Sequence, residues 1–179
     1  MRKSLEDKIK KIKMVAMDVD GVLTAGEIIF INNTDEIKIW NVKDRMGFAL
    51  AHRTDNLKLC WITGRESKEV ARCAAECHID AIYQKATKKI QAYTDLKEKY
   101  KLQDDEIAFL GDDLIDIPLL RYAGLAICPA DSPREVKKEA DLVTKAQGGK
   151  GVFREVIELI IKTQDNWDKV CARYYEEGE

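Results

Sequence analysis

Two acids separated by one residue, Asp18 and Asp20, follow directly on the apolar run Met14-Val15-Ala16-Met17. Side chains alternate in direction along a strand, and past its last hydrogen bond the chain can turn both carboxylates toward one exposed crevice. Gly21 permits the tight turn that follows. Taken alone, the pattern also fits a strand ending in an ordinary acidic turn, since Asp and Gly are common turn residues. Two further apolar runs change the weighing. Lys58-Leu59-Cys60-Trp61-Ile62 ends in Thr63-Gly64-Arg65, a hydroxyl, a glycine and a cation. Glu106-Ile107-Ala108-Phe109-Leu110 ends in Gly111-Asp112-Asp113, with Asp116 one helical turn on. As three buried strands of one parallel sheet, these runs would bring their carboxyl ends to one edge, where open α/β sheets place their chemistry.

That many carboxylates at one point repel one another and shift toward neutrality unless a cation joins them. A hard divalent metal is therefore implied. An oxygen-only donor set points to magnesium, which binds through one or two carboxylates and keeps water positions for substrate phosphate oxygens. The two histidines, His52 and His78, stand apart from any cysteine pair with zinc-type spacing and read as surface or helix-end residues.

The elements needed to position these groups follow from apolar periodicity. An opening helix of about ten residues carries Leu5, Ile9 and Ile12 at helical spacing. Helices are predicted at about 44–54, 68–78, 88–100, 114–123, 133–140 and 151–164, with short strands near 81–83, 125–128 and 141–143. This alternation predicts an α/β fold, a Rossmann-like doubly wound parallel sheet covered by helices on both faces. One stretch departs from it. Glu27–Ile31 and Glu36–Trp40 flank Asn32-Asn33-Thr34-Asp35 and predict a β-hairpin with a four-residue turn, an insertion at about 26–41. Ile29, Ile31, Ile37, Ile39 and Trp40 are more apolar surface than a lone ribbon can shelter, so something should cover it.

Taken in series, the DVDGVLT, ITGR, lysine and GDDxxD elements resemble the haloacid dehalogenase superfamily of aspartyl-phosphate phosphatases, over about Lys10 to Lys162. The resemblance is to small capless members acting on 3-deoxy-D-manno-octulosonate 8-phosphate and to related nonulosonate 9-phosphate phosphatases. It implies Asp18 as nucleophile and Asp20 as general acid and then base. It also implies magnesium held by Asp18, the backbone carbonyl of Asp20, and Asp112, with Thr63, Gly64 and backbone amides on the phosphoryl oxygens. A lysine must balance the site, and Lys85, Lys88 and Lys89 are the candidates. The family segment Gln-Gly-x-x-Asp-Lys aligns with Gln84–Lys89 and selects Lys89, although Lys85 and Lys88 replace the family glycine and acid. Asp113 and Asp116 would then orient the lysine and the metal's waters. Arg65 looks like the arginine that such enzymes present to a sugar carboxylate, a planar donor suited to two parallel bonds. An ion pair with Glu66 or Glu69 is its structural alternative. A second family arginine falls at Cys73, beside Arg72.

By the same resemblance the hairpin is an oligomerisation element, which implies a homotetramer. Gly148-Gly149-Lys150-Gly151 resembles a glycine-rich family turn that either meets an anionic ligand, with Lys150 and Arg154, or simply starts a helix. The rival reading is a catalytically idle tetramerisation module of the same fold.

Length and charge agree with an enzyme of this size. The 179 residues, 45% apolar, suffice for a single domain over 1–179 and leave no room for a large cap. A net charge of -2, with Lys and Glu interspersed, gives no basic field for nucleic acid. No run reaches membrane-spanning length and the opening residues lack a signal-peptide core, so a cytoplasmic address is expected. Five cysteines, an odd count, favour free thiols. The tail at about 165–179 carries Trp167, Val170, Tyr174 and Tyr175 and predicts a short amphipathic helix.

Overall fold

The computed structural model describes residues 4–31 and 35–176. Six strands, β1 (Met14–Met17), β4 (Lys58–Ile62), β5 (Ala81–Tyr83), β6 (Ile107–Leu110), β7 (Leu125–Cys128) and β8 (Leu142–Val143), form one sheet in the order β5-β4-β1-β6-β7-β8. Every pairing in it is parallel. β2 (Ile29–Ile31) and β3 (Asp35–Ile37) form a separate antiparallel hairpin. The helices are α1 (Leu5–Ile9), α2 (Val42–Ala51), α3 (Lys68–Glu76), α4 (Lys89–Tyr100), α5 (Ile117–Tyr122), α6 (Arg134–Lys137), α7 (Val152–Thr163) and α8 (Trp167–Glu176).

The central strands read as continuous apolar runs because both faces of the sheet are covered. Val15 and Met17 enter a core built with residues of α1, α2, α3, α7 and α8, among them Phe48, Val70, Phe153 and Val170. Met14 and Ala16 point the other way, into a second core with Tyr93 and Leu96 of α4 and Leu119 and Leu120 of α5. Trp61 of β4 is fully buried and stacks on Trp40, ring centroids 5.6 Å apart. At roughly 2 kcal/mol per buried large apolar side chain, these two layers are the main force fixing the sheet.

β1 lies between β4 and β6, so the chain winds away from it in both directions. That reversal opens a crevice at the carboxyl end of β1, the usual ligand position in such sheets. The α/β doubly wound architecture is as expected, with the hairpin as a small insertion and no large cap among the described residues.

Several boundaries differ from expectation. The opening helix is only Leu5–Ile9, with a Ser4 capping box, and Ile12 reaches the core from the linker beyond it. The hairpin strands are shorter than predicted, with Ile29 opposite Ile37. Lys38, Ile39 and Trp40 leave the ribbon, Trp40 because it packs on Trp61. The predicted turn at Asn32, Asn33 and Thr34 lies outside the described residues. The helix expected at about 114–123 splits into a 3-10 turn over Leu114–Asp116 and α5, with Pro118 at the helix start. The tail helix exists as α8, seated through Val170 and Cys171.

Candidate active site

β1, β4 and β6 deliver their following residues to one rim. Asp18 donates its backbone N–H to the carbonyl of Leu110 at 2.9 Å, tying the end of β1 to that of β6. Its Oδ1 accepts from the Val19 N–H at 2.6 Å, and its Oδ2 lies 2.5 Å from Lys89 Nζ. Lys89, the first residue of α4, also donates to Asp116 Oδ1 at 2.7 Å and is 3% exposed. Lys88 is exposed and Lys85 pairs with Glu66 at 2.7 Å, so the geometry brings Lys89 alone of the three into the acid cluster.

Asp18, Asp112 and Asp116 can each offer an oxygen such that all lie within 4.8 Å of one another. The close approach is built into the backbone. Gly21 sits at φ +89°, and a Cβ there would stand 2.0 Å from Asp112 Oδ2. At Gly111 a Cβ would stand 2.4 Å from the Asp116 Cβ. The electrostatics carry the strain of this crowding. Asp112 is pushed up to about 8, first by burial and then by the charges of Asp116 and Asp18. Asp18 is raised to about 6 by burial, against the pull of Lys89. Burial disfavours the Lys89 ammonium, but Asp18 and Asp116 outweigh it and raise its pKa.

The donor set fits a hard divalent cation. Asp112 Oδ1 is buried with no hydrogen-bond partner, and a cation at the three-acid cluster would relieve it. Asp116 is the least available of the three as a ligand. Its Oδ1 serves Lys89, and its Oδ2 accepts from the N–H groups of Asp112 and Asp113 at 2.9 and 3.3 Å. It shapes the loop and holds the lysine. Asp113 is exposed and spends its carboxylate on the Leu114 N–H at 2.7 Å, as a cap, so it is not among the groups the structure gathers on Lys89.

Thr63 is 2% exposed, and its hydroxyl accepts from the Arg65 N–H at 3.3 Å. A Cβ added to Gly64 would meet nothing within 4 Å, so the backbone here borders open space. Arg65 donates to Glu36 Oε2 at 2.7 Å rather than pairing with Glu66 or Glu69. Its Nε stands 4.0 Å from Asp20 Oδ2. Asp20 turns away from the lysine: its Oδ1 accepts from Lys38 Nζ, while Thr24 Oγ1 lies 3.4 Å off. Glu36, pushed up by burial, is held below the usual carboxylate range by Arg65, Ser67 and Lys38.

Lys38 and Glu36 escaped the sequence reading because they sat in a stretch assigned to an apolar ribbon. The signal available was a lysine between Ile37 and Ile39 that ends up 8% exposed. A cleft of about 660 Å³ beside this network is lined by Phe30, Glu36, Arg65, Ser67, Lys68 and Gln84, among others. A larger groove, of about 730 Å³, lies at the opposite end of the strands near Lys13, Asn56, Glu106 and Gln164 and holds none of the acids of the rim. Gly148 and Gly149 pack on the backbone of Gly21, Thr24 and Ala25, which gives the glycine-rich turn a buttressing role behind the acids. His52 ends α2 and bonds the Cys77 carbonyl at 2.8 Å, and His78 follows the end of α3.

A carboxylate held by a buried lysine, a second acid two residues on, and a crowded acid from a neighbouring strand are the groups that a phosphoryl-transferring hydrolase of the aspartate type requires. Residues 65–156 match the family described as haloacid dehalogenase-like hydrolase. The chain is 38% identical over 162 residues to the 3-deoxy-D-manno-octulosonate 8-phosphate phosphatase KdsC of Escherichia coli K12, covering 90% of this chain and 86% of that one. A Moraxella catarrhalis 3-deoxy-D-manno-octulosonate 8-phosphate phosphatase, solved with magnesium, phosphate and KDO, superposes with a TM-score of 0.90 at 37% identity, covering 94% of this chain and 97% of that one. A probable YrbI family phosphatase from Pseudomonas syringae gives a TM-score of 0.92 at 34% identity, covering 96% and 97%. The chain belongs to the haloacid dehalogenase-like hydrolases.

Proposed function

We propose that this protein is a magnesium-dependent phosphatase that hydrolyses 3-deoxy-D-manno-octulosonate 8-phosphate through a phospho-aspartate on Asp18. The observation that carries the reading is the pairing of Asp18 Oδ2 with Lys89 at 2.5 Å inside the Asp18, Asp112 and Asp116 cluster. The similarity to phosphatases of that substrate supports its identity.

Asp18 attacks phosphorus in line, with its carboxylate oriented by Lys89 and the Val19 N–H. Asp20 gives its proton to the departing sugar oxygen, then takes one from the water that attacks the phospho-aspartate. Thr63 and the backbone around Gly64 receive phosphoryl oxygens, joined by the Lys89 ammonium as these become equatorial. Asp116 keeps Lys89 and the Asp112 loop in register. The carboxylates of Asp18 and Asp112 with the backbone carbonyl of Asp20 would hold magnesium, which neutralises charge on the transferring group. Arg65, which lines the 660 Å³ cleft, receives the sugar-acid carboxylate in exchange for Glu36.

The exposed apolar face of the hairpin supports a homotetramer: Ile28, Phe30, Ile31 and Ile39 are 50%, 67%, 46% and 64% exposed. No helix of the described residues is long and apolar enough to cross a membrane, and the five cysteines are free, which supports a reducing, cytoplasmic setting.

Phosphate release from octulosonate 8-phosphate, nonulosonate 9-phosphates and hexose phosphates, with magnesium and with chelator, tests the reading. The octulosonate ester should turn over fastest and only with metal. No release from any monoester would overturn the phosphatase reading, and equal turnover on all would overturn the substrate assignment.

A further inference from the structure

Asp20, Lys38, Glu36 and Arg65 form a ring of alternating charge between the catalytic turn and the hairpin. Lys38 Nζ contacts Asp20 Oδ1 and lies 3.5 Å from Glu36 Oε1; Arg65 donates to Glu36 Oε2 at 2.7 Å, and its Nε, 4.0 Å from Asp20 Oδ2, closes the ring. The Lys38 side chain is 1% exposed, and it directly follows β3 on a stretch whose neighbours, Ile37 and Ile39, face outward. An ammonium is an expensive group to bury, and an apolar residue would have extended the ribbon's outer face instead. Asp20 Oδ2, which faces the Arg65 Nε, is buried and accepts no hydrogen bond. A carboxyl that gives a proton and later takes one back needs one oxygen fixed and the other free.

We infer that Lys38 is the positioning residue for Asp20, fixing its Oδ1 so that Oδ2 is the atom that exchanges the proton with the leaving oxygen and then with water. This rests on the phosphatase reading above and adds a role for the hairpin within the subunit. In the first half-reaction the bond from Asp18 to phosphorus forms as the ester P–O bond breaks, and the proton on Oδ2 passes to the departing alkoxide. In the second, water attacks phosphorus, its proton goes to Oδ2, and the Asp18 carboxylate leaves. Lys38 touches neither phosphorus nor the leaving group; it acts through Asp20.

The consequence is a dependence on the leaving group, because a nitrophenolate departs without a proton and a sugar alkoxide does not. Lys38→Met should slow phosphoryl transfer from the sugar phosphate about 100-fold, the usual worth of a placed acid. The single-turnover burst of nitrophenolate from 4-nitrophenyl phosphate should stay within about threefold of the unaltered protein. Lys38→Arg, which keeps the charge, should recover most of the loss, and KM should move little in either variant. Melting curves check that Lys38→Met is folded, and Lys38→Gln replaces it in the same comparison if it is not. Equal losses with both leaving groups, or no loss with either, in an otherwise active protein would overturn the inference alone. An unaltered protein that releases phosphate from neither ester would overturn the phosphatase reading and this inference with it.

Discussion

Replacing Asp112 with Asn should stabilise the metal-free protein at neutral pH while abolishing its activity, and the size of the effect follows from the acid cluster. The Asp112 carboxyl moves from an ordinary 3.8 to about 8 on folding, through burial and then the charges of Asp116 and Asp18. A carboxyl with a raised folded-state pKa binds its proton more tightly in the folded chain than in the unfolded one. Folding is therefore favoured at acid pH, and that advantage drains away as pH climbs from about 4 toward 8. Each pH unit in the window is worth about 1.4 kcal/mol, so the stretch from about pH 5 to about pH 7.5 is worth roughly 3 kcal/mol. Asp112 is part-exposed, and solvent screening roughly halves the lower bound, to about 1.5 kcal/mol.

The Asn variant does not titrate at this position. In chelator the melting temperature of the unaltered protein should fall relative to Asp112→Asn across that window, by roughly 3–12 °C at about 2–4 °C per kcal/mol. Magnesium should raise the melting point of the unaltered protein by mass action and leave that of the variant almost unmoved. Thermal melts of both proteins at four or five pH values, with and without magnesium, read this directly. Parallel curves for the two metal-free proteins would refute the claim that the acids at the rim lie under mutual repulsion.

Asp18→Asn should abolish turnover and leave the melting temperature of the metal-free protein unchanged or higher; measurable phosphate release would exclude Asp18 as nucleophile. Lys89→Met strands Asp18 and Asp116 in the interior, so it should cost about 3 kcal/mol at pH about 7.5 and less at pH about 5, where Asp18, raised to about 6, takes a proton, with at least ~100-fold lower turnover. Arg65→Ala should raise KM about tenfold or more for a substrate bearing a carboxylate and leave a hexose phosphate unaffected. Phe30→Asp with Ile39→Asp should convert the assembly to monomers by sedimentation, and a stable monomer in the unaltered protein at micromolar concentration would rule out the tetramer.

The parallel sheet and the rim it creates were legible because buried parallel strands must be apolar on both faces, and three of them end in a chemically marked residue. Asp18 after β1, Thr63 after β4 and Asp112 after β6 needed only parallel neighbours to meet. Lys89 was less accessible to the sequence, since Lys85, Lys88 and Lys89 differ only in direction from the start of α4. The fold separates them: one side chain enters the cluster and the other two stay in solvent. The 3-10 turn at Leu114–Asp116 was hidden inside a helical pattern. Asp116 closes a capping box there, its Oδ2 accepting from the N–H groups of Asp112 and Asp113, a local side-chain arrangement that apolar periodicity does not register.

The hairpin shows why part of the site was beyond periodicity. A ribbon with alternating residues was expected to present one face to a partner, and Phe30 and Ile39 do remain exposed. The apolar alternation gave its charged residues no role, yet Lys38 and Glu36 turn inward onto Asp20 and Arg65. Two facts of tertiary structure produce this. Trp40 is drawn onto Trp61, which takes the chain out of the ribbon at Lys38 and ends the alternation there. Asp20 Oδ1 as acceptor and the Glu36 carboxylate 3.5 Å away then make burial of Lys38 tolerable. One segment thus carries an apolar outer surface and a charged inner one, and a substitution on either side should be felt at Asp20.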